Sequence, residues 1–359
     1  MLNEYLTQLQ KKYNYDNLLI ENLSKIIPSL IEYYGVEYQN QILSALYNCE
    51  IHIQKENENS NEYLNNYFDV NEKWNFPIGG AAFHTSKPKV ADNKVTFKNI
   101  IYICKPLGEK FDLYKEENLS TLIHEICHLV KGFNRAKIED GKIISTTGFM
   151  KEEFDFQGIS LNGDYAINVG IEEALNCYDE EKIMEKVVGH SYTSQGYHGI
   201  SKLIGKLLKN NEIKNAIDKA KFGENSDWIN LIGTENVKKL IENFDTIIKT
   251  SYVSNADFDF DEDAEFDRLL EEGKNFDEIQ EILIRIIEEE RDKIWEPYNL
   301  AYSEVESFIE HFTIKQQLIN FETARTNADK KAVEYIQNMS INYKTQENVL
   351  NLEVETKFK

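Results

Sequence analysis

No run of about 18 apolar residues occurs in the chain, so no helix in it is expected to span a bilayer. The first 17 residues, MLNEYLTQLQKKYNYDN, hold no apolar segment of the kind a secretory signal needs, and none is expected. Cysteine is scarce. Cys49, Cys104, Cys127 and Cys177 form no C-x-x-C and no regular spacing, which reads as reduced thiols in a cytoplasmic protein. Basic residues are few: 40 Lys and Arg stand against 62 Asp and Glu, a formal net charge of −22. Such a chain is repelled by nucleic acid and by anionic membranes, and neither is expected as a partner. There is no internal repeat and no collagen-like or Gly/Ser-rich linker segment. The acidic run Asp257 to Asp263 has no glycine at the sixth loop position, so it is not an EF-hand and reads as a solvated loop.

Only seven histidines occur in 359 residues, yet two of them fall in His124-Glu125-Ile126-Cys127-His128, an H-E-x-x-H. Two histidines four residues apart project from one helix face about one turn apart, a spacing that suits one metal ion. Glu125 lies about 100° further round the helix. It is badly placed to bind the same ion and well placed to reach a water on it. Leu119, Leu122, Ile123, Ile126 and Val130 form one apolar stripe, which predicts a helix over Leu119 to Gly132. Glu116 and Glu117 favour its positive end, Asn118 or Ser120 is a candidate cap, and Lys131-Gly132 is the expected close. Two ligands and a nearby base form the layout of a zinc hydrolase.

Zinc hydrolases usually hold the ion with three protein ligands and leave a fourth place open. The stretch Gly170-Ile171-Glu172-Glu173-Ala174-Leu175-Asn176-Cys177-Tyr178, downstream, predicts a second helix carrying carboxylates. Here the chain resembles the gluzincins, thermolysin-like zinc metallopeptidases whose H-E-x-x-H is completed by a glutamate on a later helix. It looks closest to an uncharacterised bacterial branch with a second motif of the form N-E-G-x-T-x-Y. The resemblance implies Zn²⁺ held by His124, His128 and Glu173, with Glu172 the competing third ligand and Glu125 the general base. Cys177 stands where the thermolysin pattern places an aspartate that steadies a histidine, so the groups that orient the imidazoles are left unassigned. The likeness covers about residues 100–208.

The rest of the chain supplies context. Residues 1–70 read as a helical segment, with Asn17 to Tyr34 broken near Pro28 and a second helix over Gln39 to Ile53. Val95 to Cys104 is the strongest strand signal, and Ala136 to Ser145 reads as a hairpin turning at Asp140-Gly141. In gluzincin-type folds the strands before the metal helix form a sheet whose edge lies above the site. Gly79 to His84 is a candidate part of that wall, with His84 itself read as a surface histidine. The loop Gly189 to His198 holds two His and two Tyr. Tyr192 and His198 are the candidate transition-state donors. Beyond residue 209 the chain is acidic and helical, with helices expected over Val237 to Ile248, Phe266 to Ile287 and Tyr302 to Phe321.

The expectation is an α+β protein. A zincin-like catalytic domain over 71–209 is flanked by an N-terminal helical segment (1–70) and an acidic helical C-terminal region (210–359). The expected activity is hydrolysis of peptide or protein substrates by a zinc-activated water. The rival readings are a helical interaction protein with a vestigial or structural zinc site, binding a protein partner through its C-terminal helices, and a zinc hydrolase of non-peptide substrates.

Overall fold

A computed structural model describes residues 2–55, 58–69, 82–91, 94–104, 112–133, 135–156, 158, 160–162, 166–193, 200–224, 226–255 and 262–357. The protein is α+β, about 68% helical with two small sheets. It divides into two compact units, Met1–Val305 and Glu306–Lys359. Among the described residues no helix is long and apolar enough to cross a membrane.

The chain opens with α1 (Leu2–Tyr13) and α2 (Asn17–Tyr34). Asp16 caps α2 by accepting from the Leu19 N–H at 2.7 Å. Pro28 does not break this helix but sits inside it. Leu23, Ile26, Ile27 and Leu30 around it are fully buried, and that packing outweighs the hydrogen bond a proline lacks. Then come α3 (Gln39–Tyr47) and β1 (Cys49–Ile53). The helix expected over Gln39 to Ile53 thus ends at Tyr47. The alternating Cys-Glu-Ile-His-Ile pairs in parallel with a strand 50 residues later, a partner that local reading does not see.

After α4 (Ser60–Phe68), β2 (Ala82–Ala91) and β3 (Lys94–Ile103) complete the first sheet in the order β1-β3-β2. β3 is the strand expected from Val95 to Cys104. It is the centre of the sheet, parallel to β1 and antiparallel to β2, with His84 opposite Ile101. One face of β3 (Ile101, Ile103) joins the main core with α2 and α3. The other face (Ile100, Tyr102) packs on α4 through Leu64 and Phe68.

The H-E-x-x-H helix is α5 (Glu116–Gly132). It starts three residues before the apolar stripe, and Lys115 precedes it without a side-chain cap. All five stripe residues are buried in the main core, each worth about 1.5–3 kcal/mol of transfer free energy. Lys131 does not close the helix as an exposed cation, because its side chain is fully buried. Gly132 is the last helical residue rather than a left-handed cap. Its value is closeness: a Cβ there would lie 2.4 Å from Thr147 Oγ1.

The second sheet follows as β4 (Ala136–Glu139), β5 (Lys142–Thr147) and β6 (Met150–Phe154), antiparallel in chain order. Asp140 and Gly141 both have positive φ, the type of turn that the Asp-Gly pair predicts. Next come α6 (Val169–Val188), α7 (Ile200–Leu207), α8 (Asn211–Lys221), α9 (Ser226–Ile232), α10 (Thr234–Asn255) and α11 (Glu262–Glu271). The last helix, α12, runs Phe276–Lys357. The expected helix over Phe266 to Ile287 is therefore two helices, divided at Gly273 with φ +81°.

α6 packs on α5, α2, α7 and α10. Its entry is fixed by Gly170, whose N–H donates to Asp245 Oδ1 at 2.7 Å. A Cβ on Gly170 would lie 2.2 Å from the backbone carbonyl of Phe244. Backbone cannot swing aside as a flexible side chain does. Gly170→Ala is expected to destabilise the fold by about 1–3 kcal/mol, as overpacking does, read from the urea midpoint. An unchanged midpoint would contradict this packing.

Candidate metal centre

Three of the expected ligands meet between α5 and α6. His124 Nε2 lies 3.2 Å from Glu173 Oε2, and His128 Nε2 lies 3.3 Å from Glu173 Oε1. One carboxylate therefore faces both imidazoles, and the three side chains form a group with the spacing of a metal site. Two light atoms bonded at about 2.0–2.1 Å to one tetrahedral ion lie about 3.3–3.4 Å apart. The observed separations fit that geometry.

The opposite ring nitrogens are also faced by carboxylates. His124 Nδ1 is 3.0 Å from Glu180 Oε2, and Glu180 is bonded in turn to the Ser120 hydroxyl. His128 Nδ1 faces Glu172 Oε1 at 3.6 Å, an ion-pair distance rather than a hydrogen bond. Carboxylates on the Nδ1 side favour the tautomer with its proton on Nδ1, which turns the Nε2 lone pair towards Glu173. A lone pair aimed at a carboxylate is repulsive unless a cation or a proton sits between them.

Charge in the site follows from this crowding. Burial favours the neutral form of His124, but Cys177, Glu173 and Glu180 outweigh it and hold its pKa well above the ordinary value. Burial acts likewise on His128, where Glu173 and Glu172 push the pKa up to about 8. Burial would raise the Glu173 carboxyl, but the two imidazoles hold it well below the carboxylate range. Without a metal, protons take the place of the cation.

Glu172 is engaged elsewhere. It is fully buried, pairs with the buried Lys131, and accepts the Phe149 N–H at 2.9 Å. Lys131 also lies 3.8 Å from Asp179, which accepts from Tyr33, Tyr34 and Lys221 at 2.6–2.9 Å. These buried charges tie α2, α5, α6 and α8 together behind His128. Gly148 has φ +56°, and a Cβ there would collide with Glu172, so the turn after β5 closes over this carboxylate. Asn176 Nδ2 donates to the His124 carbonyl at 2.8 Å, which fixes the register of α6 on α5.

Glu125 is buried on α5 beside His124 and His128. Its Oε2 accepts the His84 N–H at 2.7 Å. β2 is the edge strand of its sheet, so this N–H points away from the β3 ladder and into the site. Burial raises the Glu125 pKa above its ordinary value, against the pull of both histidines. A carboxylate of raised basicity beside these imidazoles suits a proton acceptor.

Of the two expected donors, Tyr192 packs against the main core and bonds to Ser120, on the Glu180 side of His124. Its hydroxyl therefore lies beside Ser120, which bonds Glu180 on the Nδ1 side of His124. His198 lies outside the described residues, as do residues 71–81 and 256–261. Cys127 is buried in the main core, and Cys177 is buried beside His124.

The sequence reading missed Glu180, Ser120, the Lys131–Glu172 pair and His84. Periodicity contained two of them. Glu180 follows Glu173 by seven residues and Ser120 precedes His124 by four, so each shares a helix face with its ligand. Glu152 of β6, whose pKa is raised by burial against the pull of His128, had no sequence signal.

No protein-family model, no curated protein and no solved structure matches the chain.

Zinc affinity is expected to rise with pH through about 8, because a metal must displace a proton from His128 below that value. In the metal-free protein the sign is opposite. The raised His128 pKa contributes stability in full below about pH 6.5, and this is lost as pH climbs through about 8. Chelator competition and urea unfolding across that range check both. A flat zinc affinity would contradict the assignment. Glu180→Gln is expected to cost about 10–100-fold in zinc affinity, and Glu173→Gln far more than Glu172→Gln.

Proposed function

We propose that the chain is a zinc-dependent metallopeptidase of gluzincin type, built on a zincin-like unit. The observation that supports this most is the geometry at Glu173: two imidazole Nε2 atoms on one helix face the two oxygens of one carboxylate on another, at 3.2 and 3.3 Å. That donor set fits zinc, and its spacing matches two donors on one tetrahedral ion. Bound there, zinc would lower the pKa of a water towards about 7 and polarise a carbonyl.

The chain's own residues have the following tasks. His124, His128 and Glu173 hold the ion. Glu180, with Ser120, fixes the His124 ring, and Glu172, pinned by Lys131, stands behind His128. Glu125 Oε takes a proton from the attacking water and delivers it to the leaving amine nitrogen. The His84 N–H aims the carboxylate and lowers its freedom to turn away. Among the described residues no strand pairs with the outer side of β2, and beyond the His84 N–H its main-chain groups are where an extended peptide would add as a further strand.

The position of Glu125 favours an enzyme over a binding module. A structural zinc site has no use for a carboxylate of raised pKa held beside its open position by a dedicated backbone bond. The purified protein is expected to hold about one zinc per chain and to cleave a mixed peptide library. Glu125→Gln is expected to keep zinc and fold but lose about 10²–10⁴ in rate. Equal cleavage by both proteins, or none by zinc-loaded wild type, would overturn the peptidase reading.

A further inference from the structure

His84 has no role in the scheme above beyond its backbone, yet its side chain is placed within the same site. It pairs with Ile101 across the β2–β3 ladder, and directly opposed residues project to the same face. Ile101 belongs to the core shared with Leu122, Ile123 and Ile126 of α5. The ring therefore leaves the strand on the α5 side, at the residue whose N–H holds Glu125. It lies close enough to His128 to feel its charge, and burial together with His128 depresses its pKa to about 3, so the ring is neutral.

A neutral imidazole has one N–H and one lone pair. The Asn99 side chain hydrogen-bonds the ring. Asn99 Nδ2 is directed at the Phe97 carbonyl, which leaves its Oδ1 to accept from His84 Nδ1–H. Nε2 is then the bare nitrogen. It is buried and has no hydrogen-bond partner among the described residues. Buried polar atoms are rarely left unmatched, and an orphan beside a reaction site points to a partner supplied by the reaction.

The attacking water supplies such a partner. It has two hydrogens, and in a buried site both need acceptors. Glu125 accepts one. We propose that His84 Nε2 accepts the other. The two acceptors, one from α5 and one from β2, fix the plane of the water and turn its lone pair towards the substrate carbonyl. His84 moves no proton; Glu125 alone takes it. This inference rests on the peptidase reading.

The test uses zinc-loaded full-length protein with His84→Ala and His84→Gln, since Gln keeps an acceptor oxygen. Thermal unfolding and zinc per chain are expected to match wild type in both. In His84→Ala, kcat for peptide cleavage is expected to fall about 10–100-fold, the cost of a misoriented nucleophile, with KM unchanged. His84→Gln is expected to restore most of the loss. Wild-type kcat in His84→Ala would overturn the proposal. So would loss of zinc from a folded His84→Ala, which would make His84 a ligand. A second readout is independent of turnover: long-range ¹H–¹⁵N correlation of histidine-labelled wild type. It is expected to show His84 protonated on Nδ1, with an Nε2 that shifts towards hydrogen-bonded values when zinc is added. Protonation on Nε2, or no shift with zinc, would overturn the proposal even if wild type cleaves no peptide and the peptidase reading has itself failed.

Discussion

The structure around α5 and α6 depends on negative charge buried between two helices. Glu172, Glu173, Asp179 and Glu180 all come from one stretch of α6 and face the core side. Carboxylates removed from water are costly unless each is matched. Lys131 matches Glu172, Lys221 and two tyrosines match Asp179, and Ser120 with His124 matches Glu180. Among the described residues, Glu173 is partnered by the two imidazoles. Those partners must gain a proton or share a metal before the charges balance. The proposed zinc site follows from that imbalance.

The same constraint explains parts of the fold with no chemistry of their own. α6 must lie within ion-pair reach of α5, so Gly170 admits the backbone of α10 and Asn176 locks the register through the His124 carbonyl. Gly132 and Gly148 let the second sheet close over the back of the site. The first sheet contributes from the other side, where the edge strand β2 gives its His84 N–H to Glu125. Removing one partner from such a network typically costs about 3–5 kcal/mol, because it strands the opposite charge.

How much of this was legible varies with the range of the cause. The α5 stripe, the Asp140-Gly141 hairpin and β3 are local patterns, and the structure has them near the expected bounds. The grouping of His124, His128 and Glu173 followed from helix spacing and a family resemblance. The roles of Lys131 and Glu172 were not legible, because a lysine near a helix end and a glutamate on an acidic helix ordinarily face water. Only the approach of α5 and α6 buries them. β1 was missed for a similar reason, since its parallel partner is distant in the chain. Pro28 misled because burial of α2 outweighed a local rule.

The proposed zinc lies between His124, His128 and Glu173. His124 also belongs to a second possible ligand group, with Cys177 and Glu180. Zinc K-edge X-ray absorption on the purified protein separates the two. The account predicts zinc surrounded only by nitrogen and oxygen at about 2.0–2.1 Å, with the His128→Ala variant metal-free. A sulfur scatterer at about 2.3 Å would place the ion on the Cys177 side of His124 and contradict the account, as would full zinc occupancy in His128→Ala.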